Sequence, residues 1–207
     1  VKPSPRQVKA EVWMSLIHGS TGIIYFVHQF EPEFIEAGLL ADSEMAQAIK
    51  EINKQILKLA PILNSPTLYR KDAVNIENTG EILISPLALM VKMYNGTIYI
   101  FSVNVQENPV KMKFTIEGMP EDYVIEVYDE NRLIVPESST FEDVFEGLEV
   151  HIYRVIKNDE AYKNLQPVAS SKISAAESSY KLSSELKSLL QMAKEKYYSS
   201  VTLSKQN

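Results

Sequence analysis

The chain has 207 residues, of which 45% are hydrophobic and 23% are charged, and its formal net charge is −6. This composition is typical of a folded protein with one large domain or two small ones. The negative charge and the scattered basic residues argue against nucleic acid as a partner, because phosphate binding needs clustered Lys and Arg. The chain has no cysteine, which excludes disulfides, a thiolate nucleophile and a cysteine-based zinc site.

The first predicted elements are a helix and a strand. Ser4 can cap a helix that begins at Pro5, and Gly19 is a natural stop after a wide apolar face. Residues 22–27 then form an unbroken apolar run, which is typical of a strand covered on both faces in a parallel sheet. The chain begins without methionine, and we expect that its first residue is not the start of the natural protein.

A second amphipathic helix is predicted after a loop that is rich in charges and aromatic residues. Asp42 or Ser43 can cap this helix, and its apolar residues recur every three or four positions. Pro61 and the cluster at 64–66 are expected to end it.

From residue 67 onward the pattern predicts short antiparallel strands. Asn95-Gly96 lies between two β-rich runs and predicts a tight hairpin. Such closely spaced strands are typical of a β-sandwich. The expected strands are 68–70, 74–76, 82–84, 88–94, 97–103, 110–116, 123–128, 132–135, 140–145 and 149–156.

The serine-rich stretch after residue 157 reads as a linker, followed by an amphipathic helix at about 178–199. This tail helix either packs on its own protein or recruits a partner. No apolar stretch approaches the roughly 20 residues of a membrane span.

The single predicted parallel strand has no predicted partner in this chain. A parallel strand needs hydrogen-bonded neighbours and helices over both faces. The fold class predicted is therefore α+β in two parts: the terminal helix–strand–helix of an incomplete (β/α)₈ barrel, then an antiparallel β-sandwich, with a C-terminal helical tail. The expected boundaries are 1–65 for the end of the barrel, 66–157 for the sandwich and 158–207 for the linker and tail.

The stretches PSPRQVKAEVWMSLIHGSTGIIYFVHQF and EINKQILKLAPILNSPT, followed by a small β-domain, resemble the C-terminal part of bacterial TIM-barrel glycoside hydrolases. The likeness is to the retaining group that includes β-galactosidase-like and cellulase-like enzymes, and it covers about residues 3–155. It implies a carbohydrate substrate bound by the intact barrel, a missing N-terminal part of the same parent chain, and no cofactor.

The resemblance gives the end of the predicted strand a role, because barrel active sites lie at the carboxyl ends of the strands. Tyr25, His28 and Gln29 are the residues expected to border a sugar site. Tyr25 and Phe26 are adjacent, so only one of them can face the barrel interior. The alternative is that Tyr25 and Phe26 pack in the barrel wall and His28 only caps the strand.

No catalytic residue is assigned. Glycoside hydrolysis needs two carboxylates, which related barrels place at the ends of the fourth and seventh strands, and this chain contains neither strand. Glu31, Glu33 and Glu36 follow the predicted strand but read as solvated loop residues. The sequence also lacks phosphate-binding and Gly-x-Ser-x-Gly motifs, and its histidines lack metal-ligand spacing.

Two functions therefore remain open. The first is a glycoside hydrolase fragment that lacks the catalytic carboxylates and is inactive alone. The second is a non-catalytic β-sandwich that binds carbohydrate or is purely structural. A binding module presents a planar row of exposed aromatic rings, and the available residues are Tyr94, Tyr99, Phe101, Tyr123, Tyr128 and Tyr153.

Overall fold

Three helices precede the strands in the computed structural model, which describes residues 2–68, 74–78 and 85–157, with positions 160, 191–192 and 195. The predicted strand at 82–84 and nearly all of the predicted tail helix lie outside these residues. The helices are α1 (Pro5–Ile17), α2 (Gly38–Ala41) and α3 (Ser43–Leu63). The strands are β1 (Thr67–Leu68), β2 (Val74–Asn78), β3 (Leu87–Tyr94), β4 (Thr97–Asn104), β5 (Val110–Ile116), β6 (Tyr123–Val127), β7 (Arg132–Ile134), β8 (Thr140–Phe145) and β9 (Val150–Lys157).

The helix starts are set by the side chains that the sequence indicated. The Ser4 hydroxyl accepts a hydrogen bond from the Gln7 amide at 3.3 Å, and the Gln7 side chain accepts one from the Ser4 amide at 2.8 Å. This reciprocal pair is a capping box, and it satisfies two amide groups that a helix start leaves unbonded. Asp42 caps α3 by accepting from the Met45 amide at 2.9 Å. Both predicted starts are confirmed.

Of the two predicted stop signals of α3, the cluster at 64–66 ends the helix and Pro61 does not. The helix continues through Pro61 to Leu63, and Asn64 caps it by bonding back to the Ala60 carbonyl. Pro61 removes one backbone hydrogen bond, but its ring is on the exposed side, and Ile62 is buried and holds the last turn against the core.

The strands form two antiparallel sheets, as predicted. One sheet has the order β1-β3-β4-β9-β6-β7, and the other has the order β2-β5-β8. The predicted hairpin is present: β3 pairs with β4 from Leu87↔Asn104 to Tyr94↔Thr97, and Asn95 and Gly96 both have positive φ at the turn. That backbone geometry is the reason for the Asn-Gly pair, since two-residue hairpin turns need it.

The six-stranded sheet is covered on both faces. Its inner face packs on the three-stranded sheet, forming an inter-sheet core that includes Ile100, Phe114 and Tyr153. Its other face packs on α1 and α3, forming a helix–sheet core that includes Trp13, Leu59 and Phe101. Trp13 is completely buried and stacks on Phe101 with ring centroids 5.7 Å apart. The helices and the sheet are thus joined by apolar packing across residue 65.

The predicted strand at 22–27 belongs to neither sheet. Its backbone is extended, but none of the described strands pairs with it. Ile24 is 99% exposed and Phe26 is 70% exposed. The expectation of a strand covered on both faces is therefore wrong for this chain, because only one face of the segment has something to pack against.

Candidate functional site

The extended segment, residues 22–27, leaves α1 and returns towards α3 with its backbone largely unbonded. In the described part of the chain, one backbone hydrogen bond to this segment is found, from the Leu39 amide to the Val27 carbonyl at 3.0 Å. The exposure of its side chains alternates strictly along the chain, as in a strand with one covered face. The segment thus has the form of a strand without a sheet.

The covered face of the extended segment lies against the helices. Ile23 and Tyr25 pack on the helix–sheet core. The Tyr25 hydroxyl donates a hydrogen bond to the Asn53 side-chain oxygen on α3 at 2.9 Å. Partial burial raises the pKa of the Tyr25 hydroxyl. Tyr25 is therefore a contact between the segment and a helix, on the face opposite to His28.

The open face carries a row of aromatic rings, which we call the ring cluster: Phe26, His28, Phe30 and Phe34. The His28 ring lies 5.5 Å from Phe26, 6.5 Å from Phe30 and 6.0 Å from Phe34, measured between centroids. Phe30 also contacts Phe26 at 5.9 Å and Phe34 at 5.8 Å. Four rings therefore form one continuous surface, with His28 in contact with the other three.

The loop after the segment is held by its backbone. Gln29 and Ile35 exchange two hydrogen bonds, at 3.0 and 2.9 Å, which close residues 30–34 into a short loop. The Gln29 side-chain amide also reaches the Glu33 carbonyl at 3.5 Å. Gly38 packs so closely on Gln29 that an added Cβ would lie 2.8 Å from the Gln29 Cβ. Of the predicted site residues, Gln29 anchors the loop and His28 lies on the open face.

A cavity of about 760 Å³ opens between the extended segment and the two long helices. Its lining includes Val8 and Val12 of α1, Ile49 of α3, and both faces of residues 22–29. Most of the lining residues are apolar, and the lining also includes Glu11 and Glu31. The volume is within the range of small-molecule sites, although the cavity is open along one side.

The acidic residues of the loop lie at the surface. Glu31, Glu33 and Glu36 are all exposed. No group of three or more metal-ligating side chains is found among residues 2–68, 74–78 and 85–157. Within the same residues, no helix is both long enough and apolar enough to cross a membrane.

A second polar cluster, which the sequence pattern did not reveal, joins the two sheets. Arg132 donates two hydrogen bonds to Asp143, at 2.8 and 2.9 Å, and thereby links β7 to β8. The Tyr153 hydroxyl donates to Asp143 at 2.8 Å. Burial, followed by the Asp143 charge, raises the pKa of Tyr153 well above its usual value. We call Glu130, Arg132, Asp143, His151 and Tyr153 the inter-sheet polar cluster.

His151 is a second buried titratable group of the inter-sheet polar cluster, beside Tyr153. Its Nδ1 lies 2.5 Å from a Glu130 oxygen, and the residue is only 5% exposed. Burial alone disfavours the charged imidazole, but the hydrogen bond and charge of Glu130 outweigh it and raise the pKa of His151. The pKa of Glu130 is lowered because its bonds to His151 and Arg132 outweigh the cost of its own burial. Most polar atoms of the cluster bond one another and thereby link the sheets, whereas the buried Nε2 of His151 has no hydrogen-bond partner within the described residues.

The sequence pattern predicted His28 as a site residue but not Phe26, Phe30 and Phe34, because an unbroken apolar run is typical of a buried strand. A signal was present in the sequence: aromatic residues at alternate positions 26, 28 and 30 continue the period of a strand beyond its apolar run. Phe34 could not be placed in this way, because the backbone path of the loop brings it back to the row.

Comparisons with known proteins give a likeness in fold. No family model and no curated protein matches the sequence. An α-amylase from Geobacillus thermoleovorans, solved in complex with acarbose, is 12% identical with a TM-score of 0.52, over 74% of this chain and 34% of that chain. A putative α-galactosidase from Bacteroides fragilis has 13% identity and a TM-score of 0.45, over 74% of this chain and 29% of that one. A catalytic mutant of a GH42 β-galactosidase from G. stearothermophilus has 16% identity and a TM-score of 0.26, over 54% of this chain and 12% of that one.

The match to the α-amylase has a TM-score above 0.5 and shows a likeness in fold. This chain spans about a third of the length of that enzyme. The chain has a fold like that of part of this α-amylase, and the likeness concerns the fold alone.

Proposed function

We propose that this chain is the C-terminal part of a glycoside hydrolase. In this proposal, residues 1–65 supply the last helix, strand and helix of a (β/α)₈ barrel, and residues 66–157 form an accessory β-sandwich. The intact parent hydrolyses a glycosidic bond, and this chain alone is inactive. The observation that carries the proposal is the extended segment, which has the form of a strand but no paired neighbour among the described residues.

The unbonded backbone of the segment supports a missing partner. Backbone amides and carbonyls that lack hydrogen bonds are stable only in water, whereas apolar side chains such as Ile24 and Phe26 favour burial. Both requirements are met if strands from elsewhere pair with residues 22–27 and cover the open face. In a closed barrel every strand has two such neighbours, and its inner face is packed by side chains from the others.

The arrangement of the helices supports a barrel rather than an open sheet. α1 precedes the segment and α3 follows it, and both lie on the same side of it, where Ile23 and Tyr25 are covered. A barrel strand has its two adjoining helices on the outside only. The fold likeness to part of an α-amylase supports the proposal only at the level of the fold.

The reaction itself would depend on residues outside this chain. Cleavage of a glycosidic bond needs one carboxylic acid to protonate the leaving oxygen and a second carboxylate as nucleophile or base. The loop glutamates Glu31, Glu33 and Glu36 are exposed, and we assign neither role to them. We assign to this chain a binding role at the strand end: His28 contacts the sugar, while Tyr25 and Gln29 hold the segment and its loop in position.

The test compares this chain with the full product of its gene on aryl glycosides. We expect hydrolysis by the longer protein and none by residues 1–207. The control is the longer protein with His28→Ala, which should retain its fold, since His28 is exposed, but show weaker substrate binding. Activity of the short chain, or no glycosidase activity in a folded longer protein, contradicts the proposal.

The alternative is that the β-sandwich is a carbohydrate-binding module. Three of the six aromatic residues named for that role, Tyr99, Phe101 and Tyr153, are buried in the two cores. A planar row of exposed rings cannot be made from them, so we propose a structural role for the sandwich, in which it supports the barrel end. Affinity electrophoresis in soluble polysaccharides tests this structural role. If the polysaccharide still slows the migration of a variant whose ring cluster has been removed, the β-sandwich is a carbohydrate-binding module.

A further inference from the structure

The ring cluster has the properties of a ligand surface. Phe26, Phe30 and Phe34 are 70%, 65% and 61% exposed, although each is in contact with another ring of the cluster. Rings of this size normally bury most of their surface in a core or an interface. Three such rings side by side on an open surface therefore indicate an interaction site.

The cluster combines apolar faces with a hydrogen-bonding group. The His28 ring lies among the three phenyl rings, and within the described residues its side chain forms no hydrogen bond. An imidazole can both donate and accept. A ligand on this surface thus meets flat apolar faces and, at their centre, a polar group free to bind a hydroxyl.

The loop that carries the cluster is preorganised. The paired hydrogen bonds between Gln29 and Ile35 close the backbone of the loop that carries Phe30 and Phe34, and the Leu39 amide ties the segment to the following helix. A surface that is already in its bound geometry loses less conformational entropy when it binds.

The charges around the cluster restrict the class of ligand. The ionisable side chains of loop residues 29–37 are Glu31, Glu33 and Glu36, all of them acidic and exposed. Anionic ligands such as phosphorylated sugars or uronic acids would be repelled, while carboxylates are good acceptors for hydroxyl groups. The chemistry fits a neutral ring that has an apolar face and hydroxyl groups at its edge.

The position of the ring cluster in the chain favours a location at the open mouth of the completed barrel, outside its packed interior. If residues 22–27 pair with a neighbouring strand, Ile24 becomes covered, but residues 28–34 lie beyond the end of that strand. Loops that follow barrel strands border the open mouth, where substrates bind. The rings of residues 28, 30 and 34 therefore stay accessible in the completed barrel.

We propose that the ring cluster is a stacking platform for one neutral pyranose ring of the substrate. Phe30 and Phe34 supply the apolar face, Phe26 borders it on the barrel side, and His28 bonds a sugar hydroxyl. This inference rests on the proposed function and deepens it, because it states the substrate class and which residues recognise it.

The first test is a titration of this chain with methyl glucosides, cellobiose and maltose, in which NMR signals of ¹³C-labelled Phe and His rings are monitored. We expect the resonances of the ring cluster to shift and those of the buried Phe114 to stay fixed. Phe30→Leu and Phe34→Leu keep apolar bulk but remove a ring face, and each should weaken binding about two- to tenfold. Leu40→Ala is the matched control, since Leu40 is 67% exposed and is not an aromatic residue.

Glucuronic acid is the charged probe, and it should bind more weakly than a methyl glucoside. Equal binding of both, or equal binding by Phe34→Leu and the unaltered chain, overturns the platform. Shifts that depend on protein concentration and not on sugar would assign the surface to contact between two copies of this chain, and would also overturn it.

The test of the stacking platform and the test of the proposed function can be distinguished by their outcomes. If the longer gene product hydrolyses glycosides but Phe30→Leu and Phe34→Leu leave its KM unchanged, the platform is wrong and the hydrolase assignment stands. If this chain binds neutral sugars through the ring cluster while the longer protein has no glycosidase activity, the platform stands and the hydrolase assignment fails.

Discussion

Replacement of Trp13 tests whether the helices and the six-stranded sheet unfold as one unit. Trp13 on α1 is completely buried, stacks on Phe101 of β4 and lies in the helix–sheet core. Trp13→Ala removes the whole ring and leaves a cavity, which costs about 3–5 kcal/mol of unfolding free energy at sites of this kind. Because the contact crosses residue 65, the loss should affect the strands as much as the helices.

The conservative variant Trp13→Phe makes the prediction sharper. The indole Nε1 is buried and has no hydrogen-bond partner in the described structure. An unsatisfied buried donor costs about 1–3 kcal/mol, and its removal offsets the loss of apolar contact from the smaller ring. We therefore expect Trp13→Phe to change stability by no more than about 1 kcal/mol, despite the complete burial of the site.

The assay is urea denaturation followed by far-UV circular dichroism for the helices and by methyl NMR signals of the inter-sheet core for the strands. The control is Leu57→Ala, since Leu57 is an apolar residue on α3 that is 78% exposed. The reasoning is refuted if Trp13→Ala costs less than about 1 kcal/mol, or if the helices melt early while the strands keep their original midpoint.

Three further predictions concern titration, turn geometry and the segment contact. The pKa of His151 is raised in the folded protein, so its contribution to stability is complete below the ordinary pKa of 6.5 and is lost as the pH rises through the folded-state pKa. The pKa of Glu130 is lowered, so its contribution is complete above the ordinary pKa of 4.5 and is lost as the pH falls through the folded-state pKa. The urea concentration at the unfolding midpoint should therefore be highest between pH 4.5 and pH 6.5. His151→Gln should reduce the fall of this midpoint at higher pH, and a maximum above pH 8 contradicts the prediction. Gly96→Val places a β-branched residue at φ +78° and should cost about 1–2 kcal/mol in thermal melts, and an unchanged Tm would refute the turn assignment. Tyr25→Phe removes the bond to Asn53 and should cost about 0.5–1.5 kcal/mol, whereas a larger loss would mean that the segment depends on more than this contact.

Local patterns predicted the antiparallel part of the fold well, because each strand carries its own signals. In β4, Ile98 and Ile100 alternate with Tyr99 and Phe101, and this predicted two differently lined faces. The structure places Ile100 in the inter-sheet core and both Tyr99 and Phe101 in the helix–sheet core. Turn chemistry fixed the hairpin in the same way, since positive φ at Gly96 is a local requirement.

Burial of the extended segment could not be predicted, because apolar composition does not say what covers a residue. The run at 22–27 reads as a buried strand, yet Ile24 is almost fully exposed in this chain. The sequence did not reveal the inter-sheet polar cluster either. Arg132 and Asp143 lie 11 positions apart on strands of different sheets, and they meet only because the two sheets pack together.

Amide hydrogen exchange of residues 23–27 tests the central claim most directly. In this chain their amides should exchange at rates close to those of an unstructured peptide, because none of the described strands pairs with them, while the amide of Ile100 in β4 stays protected. In the full gene product the same amides should become protected to a degree similar to Ile100. Strong protection of residues 23–27 already in this chain, or its absence in the longer protein, would contradict the account.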